Sequence, residues 1–328
     1  MPVHNRPYKI IRMRFIFNKG PLFYAFYNIR LFFYLLFSKA DIFHANDLDT
    51  LWANHLAAVI RKKKLVYDSH ELFTEVPELI SRPRVRNIWK RIEKRIFPKL
   101  KYIFTVNESI ANIFQEKYGV KVHVLRNLPY YNNPIEKKSR SFFGLDETKK
   151  IVILQGAGIN IDRGAEELVE AMKFLDEILL VIAGDGDIIP ELKQYVNKEQ
   201  LSDKVRFFPK MPHEQLMQLT ACADCGVTLD KDTNLNYRYS LPNKLFDYIR
   251  AEIPVLSSSL PEIQKIIEQY KVGIIIESHD PQLIATKLKT ILFDYSRDYW
   301  TNSLVEASKE LCWENEQQKL IEIYEQIR

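Results

Sequence analysis

Residues 150–164 read KIVILQGAGINIDRG. The run from Lys150 opens with β-branched and apolar side chains, the pattern of a strand buried on both faces. The strand ends at Gly156, and a helix starts near Arg163 and Gly164 in RGAEELVEAMKFL. Strand, glycine-bearing turn and helix form the first half of a βαβ unit. Gly156 and Gly158 let backbone approach a ligand closely, and a helix N-terminus favours an anion. A dinucleotide fingerprint would need glycine at position 161, where Ile161 stands. An ordinary nicotinamide dehydrogenase is therefore disfavoured.

The alternation extends in both directions. Downstream, ILLVIAGDGD, KVRFFPKM, DCGVTLD, PVLSSS and VGIIIE read as strands separated by helices, and helices close the chain. Upstream, YKIIRMRFIF, ADIFHAND, KKLVYDSHE, YIFTVNES and KVHVLRNLP read as strands. Between them lie a helix ending near Ser38 and helices over 48–60 and 84–97. The polar, turn-rich stretch from Tyr130 to Lys150 is the candidate linker. The pattern predicts an α/β chain with domains at 1–135 and 145–310, the C-terminal helix 313–328 being a candidate addition to the first. Doubly wound sheets hold ligands at the carboxyl ends of their strands. The first domain is expected to be incomplete, because its opening looks like a third or fourth strand and no glycine occurs before Gly20.

Charge divides the chain. Residues 1–140 carry 26 Lys and Arg against 11 Asp and Glu, a net +15, and the remainder carries 21 against 31, a net −10. The two halves should therefore face different partners. The segment RPRVRNIWKRIEKRIFPKLK, residues 82–101, has nine cations and one acid, Glu93. Ile88, Trp89, Ile92, Ile96 and Phe97 fall at helical spacing, so an amphipathic helix with a cationic face is expected. An anionic membrane surface suits that face; nucleic acid is not expected, since no recognised binding motif accompanies the charge. The apolar stretch from Leu22 to Phe37 is too short, and too interrupted by Asn28 and Arg30, to span a bilayer. Three cysteines make no disulfide framework, which points to the cytoplasm, with peripheral placement on the inner face of the membrane. Cys222 and Cys225 form a single CxxC without further ligands nearby, so no metal is expected.

The order and spacing of DIFHAND, LVYDSHE, TVNES, RNLP, QGAGINIDRG, AGDGD, VRFFPKMP and LPNKLFDYIRAEIPVLSS resemble the retaining glycosyltransferases of sequence family four. The likeness runs from about Asp41 to Gly273. It implies a GT-B-like fold, two Rossmann-like doubly wound domains facing across a cleft. It implies that Arg163 meets the donor diphosphate beside Gly156, Gly158 and Gly164. Asn243 and Lys244 would start a helix whose amides reach the phosphates, and Asp247 would hold the ribose hydroxyls. Two positions depart from the family pattern. Ala157 stands where a basic residue is frequent, and Tyr239 stands where a glutamate commonly meets the transferred sugar. Asp230 and Asp232 are candidates to replace that glutamate. On the acceptor side, His70 is the expected site residue, with His44, Asp47 and Asp49 on an earlier strand end. Asp49 also fits the N-cap of a helix beginning at Thr50.

The resemblance implies transfer of a hexose-type sugar from a UDP- or GDP-sugar to a glycan or lipid-linked acceptor, with retention and without a required cofactor. Cell-envelope polysaccharide or glycolipid synthesis is the expected setting. The alternatives are a GT-B sugar-nucleotide epimerase and a non-catalytic nucleotide-sugar-binding scaffold. Tyr239 and the incomplete opening both favour the scaffold reading.

Overall fold

Short apolar runs become the strands of two separate parallel sheets in this computed structural model, which describes residues 8–17 and 19–327. The chain divides into two units. One holds residues up to Thr105 with Ala111–His123, and the other holds Val106–Ile110 with Val124 onward.

In the first unit the sheet order is β1-β2-β3-β4, from β1 (Ile42–Asn46), β2 (Lys64–Ser69), β3 (Tyr102–Thr105) and β4 (His123–Val124). β1 pairs parallel with β2 and β2 parallel with β3. Phe43, Val66, Tyr67, Ile103 and Phe104 are buried from these strands, with Phe97 packed on Tyr67 and Phe114. The basic helix Pro83–Ile96 buries Trp89, Glu93 and Ile96, one stripe at i, i+4 and i+7. That stripe is rotated from the expected one: Ile88 is exposed. Glu93 takes the place inside because Lys117 reaches it at 2.7 Å and the Tyr118 hydroxyl donates to it. A buried carboxylate tolerates burial only with such partners.

Three further expectations need correction. Residues 8–17 form no strand. Their aromatic side chains pack instead on the helix Gly20–Leu36, with Phe15 against Phe23 and Tyr27, and Phe17 against Phe26. The helix after β1 begins at Leu48, so Asp49 lies in its first turn and Asp47 is the N-cap residue. The strand expected over KVHVLRNLP shrinks to His123–Val124. The helix Gly20–Leu36 itself buries Asn28, whose amide donates to the carbonyls of Tyr24 and Asp49, and turns Leu22, Phe26, Ile29 and Phe33 outward. No helix among the described residues is long and apolar enough to cross a membrane.

The second unit contains β5 (Lys150–Gly156), β6 (Ile178–Gly184), β7 (Val205–Phe208), β8 (Cys225–Thr228), β9 (Val255–Ser258) and β10 (Gly273–Ile276), in the order β10-β9-β8-β5-β6-β7. The pairings are parallel. The chain starts in the middle at β5, winds outward to β7, then returns to β8 and winds the other way. This is the doubly wound order, and its switch point lies between β5 and β8. Cys222 precedes β8 and Cys225 opens it, both as buried thiols. Burial lifts the Cys225 thiol far above its ordinary pKa.

The stretch expected to be a linker is fastened to this unit. Arg140 donates to Asp224 at 2.7 Å and to the carbonyls of Cys222 and Lys149, while Arg250 donates to the carbonyls of Tyr131 and Asn133. The closing helix Trp313–Ile327 is tied to the same stretch, since Glu314 accepts from the amides of Tyr131 and Asn132.

Tyr248 locks the switch point. It is fully buried in the helix Asn243–Arg250, and its hydroxyl lies 3.1 Å from the Val227 carbonyl of β8 and 3.2 Å from the Ile153 carbonyl of β5. The same oxygen accepts from the Gln155 amide at 3.2 Å. The ring fits only because residue 226 has no side chain, since a Cβ there would meet the ring at 2.3 Å. Gly226→Ala should therefore lower stability by roughly 1–3 kcal/mol through overpacking. Thermal melting is expected to show a drop of several degrees; an unchanged melting temperature would mean that the ring is not held there.

Candidate functional site

The carboxyl ends of β5 and β6 form the floor of a cavity of about 530 Å3 within the second unit. Gln155, Gly156 and Ala157 come from β5 and the turn after it, and Ala183 and Gly184 from the end of β6. Lys210, Met211, His213 and Leu216, with Asn243, Lys244 and Asp247, line its sides. Gly184 is required by the close approach of strands, because its φ is +139° and a Cβ would lie 1.7 Å from the Gly156 carbonyl oxygen. The floor is thus mostly backbone, and polar side chains project from the walls.

Asp247 is the wall's central group. It is buried in the helix Asn243–Arg250, with one face toward the cavity. The Gln155 amide donates to its Oδ2 at 2.9 Å, and His213 Nε2 lies 3.3 Å from its Oδ1. Thr220 donates to Gln155 Oε1 at 2.5 Å, which turns the NH2 of Gln155 toward the carboxylate. An ionised carboxylate has about four lone-pair sites. Two are used here, and the remaining capacity suits two neighbouring hydroxyls.

The cations are arranged around a second, fully buried acid. Asp230 follows β8, and its Oδ1 accepts from Arg163 at 2.9 Å. Its Oδ2 lies 3.6 Å from Lys244 Nζ and 3.3 Å from the Thr228 hydroxyl. Arg163 also lies over the Tyr237 ring, 4.2 Å from its centre. Burial opposes the charged form of Asp230, but Lys244 and Arg163 outweigh it and hold the carboxyl below its ordinary pKa. Burial pushes the Lys244 pKa down, and Asp230 offsets that only in part.

The expected donor-side residues therefore separate. Gly156, Asn243, Lys244 and Asp247 line the cavity. Gly158 and Arg163 do not line it, and Arg163 is linked to it through Asp230 and Lys244. Gly164 has a packing role: its φ is +73°, and a Cβ would meet the Leu229 carbonyl oxygen at 2.2 Å. The helix it precedes, Ala165–Ala171, is only seven residues long. The suggested substitutes for the missing glutamate are not in the cavity wall either. Asp230 is sealed by its cations, Asp232 is exposed and pairs with Arg238, and the Tyr239 carbonyl accepts from Asn107. Gln155 and His213 were not anticipated. Gln155 had a signal, since it is the one polar side chain in the otherwise apolar run IVILQ.

The first unit carries its own polar cluster at the carboxyl ends of β1 and β2. Asp68 Oδ2 lies 3.2 Å from His70 Nε2 and 3.8 Å from His44 Nε2. Burial opposes ionisation of Asp68, but the imidazoles of His44 and His70 beside it hold its carboxyl at about 2. The Asp68 hydrogen bond raises the His70 pKa against the effect of burial. Asp47 accepts the His70 amide at 2.9 Å and has a left-handed φ of +58°, unusual for a residue with a Cβ. Burial, then Asp47, pushes the Asp49 carboxyl up to about 6. Asp49 is therefore a perturbed acid and not the helix cap. No group of three or more metal-ligating residues is present among the described residues.

The contact between His213 and Asp247 makes a testable statement. Asp247 stabilises the imidazolium more than burial opposes it, so the His213 pKa is raised. Its contribution to stability is complete below an unfolded-state pKa of about 6.5 and fades as pH rises through the raised folded value. Proton NMR should place the His213 midpoint above that of a free imidazole, and Asp247→Asn should lower it. A midpoint insensitive to that substitution would show that the contact does not form in solution.

Comparison with known proteins agrees with this architecture. Residues 136–306 match the family described as Glycosyl transferases group 1, and residues 2–128 match Glycosyltransferase Family 4. The chitobiosyldiphosphodolichol beta-mannosyltransferase of Candida albicans is 24% identical over 243 residues, 68% of this chain. The chain spans about half of that relative, 52% of its length. Among solved structures, Anabaena Alr3699/HepE in complex with UDP-glucose has a TM-score of 0.73 at 17% identity, covering 94% of this chain and 84% of that one. Sucrose-phosphate synthase from Thermosynechococcus elongatus has a TM-score of 0.72 at 17% identity, covering 92% and 77%. With a family match over more than half its length and these structural neighbours, the chain belongs to the group 1 glycosyl transferases of family four and has their GT-B fold.

Proposed function

We propose that the cavity of the second unit binds the nucleoside diphosphate of a UDP- or GDP-sugar, and that the protein transfers the sugar to a glycan or lipid-linked acceptor. The observation that carries this is Asp247, a buried carboxylate held by Gln155 and His213 with acceptor capacity left toward the cavity. A ribose presents two adjacent hydroxyls that match it. Lys244, in the first turn of the same helix and on the same wall, supplies positive charge for the diphosphate. The relative's name specifies a lipid-linked acceptor and the Anabaena structure holds UDP-glucose, which supports this donor and acceptor class. Cell-envelope polysaccharide or glycolipid synthesis in the cytoplasm is the setting we infer. The exposed cations of the helix Pro83–Ile96 would favour the inner membrane face by ~1 kcal/mol per well-placed charge.

The stereochemical course we favour is retention by front-face attack. The departing diphosphate takes the acceptor's proton, and preset cations stabilise its charge. Inversion is the second course, and it needs a protein base on the acceptor side. Asp49, with its carboxyl near 6, has the titration such a base requires, and the relative's name specifies a β-linked product. The anomeric configuration of a product, read by NMR, separates the two.

The binding claim is tested by calorimetry with UDP and GDP. Asp247→Ala should weaken the better ligand by ~1.5–3 kcal/mol, roughly ten- to a hundredfold, because the ribose loses a charged acceptor. Equal affinity would sink the ribose assignment. A nucleotide-release assay over UDP- and GDP-sugars, with and without lipid extract, tests transfer itself. Release that needs lipid acceptor is expected; binding without release under any condition would favour the scaffold alternative.

A further inference from the structure

Arg163, Asp230 and Lys244 come from three separate segments, the turn after β5, the end of β8 and the helix Asn243–Arg250. Yet they meet in one buried cluster beside the cavity. Two cations share one carboxylate, so the cluster carries one net positive charge around a fully buried acid, with Arg163 26% exposed. The sharing is unequal. Arg163 makes a hydrogen bond to Oδ1 at 2.9 Å, whereas Lys244 stands 3.6 Å from Oδ2, an ion contact longer than a hydrogen bond. The Lys244 side chain is 12% exposed and lines the cavity, while Asp230 is 0% exposed and cannot touch a ligand. The Ser258 hydroxyl donates to the Asp230 backbone carbonyl at 2.7 Å, fixing the acid's position. The charged and titratable groups facing Lys244 from the packed elements are Asp230 and Arg163, and Arg163 repels it.

We propose that Asp230 is a positioning residue for the diphosphate: it keeps Lys244 charged beside the cavity, so that an anion there meets the net positive charge of the Arg163–Asp230–Lys244 cluster. Without the carboxylate, burial and the neighbouring guanidinium both favour loss of the Lys244 proton. A diphosphate would then have to restore that proton on binding. Asp230 thus acts through Lys244 and not by contact, which sets it apart from Asp247. The inference rests on the donor-site proposal above.

The experiment is calorimetry on the full chain between about pH 7 and about pH 9, where Lys244 is the group at issue. UDP and GDP are the diphosphate probes, and uridine and guanosine the uncharged controls. Buffers of different ionisation enthalpy report proton uptake. Because His213 also lines the cavity and titrates above an ordinary imidazole, each diphosphate is read against its nucleoside, and wild type should show little pH dependence or proton uptake beyond that control. Asp230→Asn should lose about ten- to a hundredfold in diphosphate affinity at the upper end, regain affinity as pH falls, and take up close to one proton. Nucleoside affinity should hold. Lys244→Met keeps one acid with one cation; it should lose diphosphate affinity without any proton uptake and again spare the nucleoside. An Asp230→Asn protein with wild-type affinity and no uptake overturns the proposal, and so does equal loss for nucleoside and diphosphate. If Asp230→Asn does not fold, unchanged diphosphate affinity in Lys244→Met overturns it instead. Wild type that binds neither diphosphate nor nucleoside overturns the donor-site proposal and this inference with it.

Discussion

The fully buried ring of Tyr248 over Gly226 is the contact on which the second unit's site depends. It fixes the helix Asn243–Arg250 against the two strands at the switch point, through a hydroxyl that reaches both β5 and β8. The preceding residue, Asp247, and Lys244 one turn earlier are thereby held at the cavity wall. Packing and polar chemistry share this helix: Leu245, Phe246, Tyr248 and Ile249 are buried, while Lys244 and the likewise buried Asp247 line the cavity. A site built this way needs little ordering when ligand arrives, because the side chains already have partners that set their direction.

Charge is distributed on two scales. The second half of the sequence is acidic overall, yet a cationic cluster with one compensating acid lies beside its cavity and reaches it through Lys244. Solvated surface acids set the former, and desolvation makes the latter effective, since interactions strengthen where water is excluded. The first unit shows the converse. It is strongly basic in sequence, but the strand ends of β1 and β2 gather Asp47, Asp49 and Asp68 with two histidines. Net charge therefore describes what surrounds each unit and says little about its site.

Much of this was legible in the sequence, for specific reasons. The runs IVIL and LLVIA are short, β-branched and leucine-rich and are soon followed by glycine, the composition of a buried parallel strand. Parallel pairing followed from alternation, while the strand orders of the two units, sequential in the first and doubly wound in the second, did not. Asp247 and Lys244 could be singled out through the family resemblance, which places a helix entry at Asn243 and a carboxylate one turn into that helix. What failed was whatever depended on a distant partner. YKIIRMRFIF has strand composition, but its aromatics pack on a neighbouring helix. Ile88 has the periodicity of a buried residue, but Glu93 is inside because Lys117 and Tyr118, far along the chain, satisfy it. Asp230 was a candidate to replace the family's glutamate, but two cations from other segments close over it. His213 gave no signal in sequence, since its role exists only through Asp247, 34 positions away.

Hydrogen exchange of the full chain with and without a saturating nucleoside diphosphate tests most directly the claim that the second unit binds the donor. The account predicts slowed exchange in peptides covering residues 153–164, 208–216 and 240–250, with the strand ends near residues 44–49 and 68–71 unchanged by the nucleotide alone. Protection confined to the first unit, or none in the three segments at a concentration that calorimetry shows to be saturating, would contradict it.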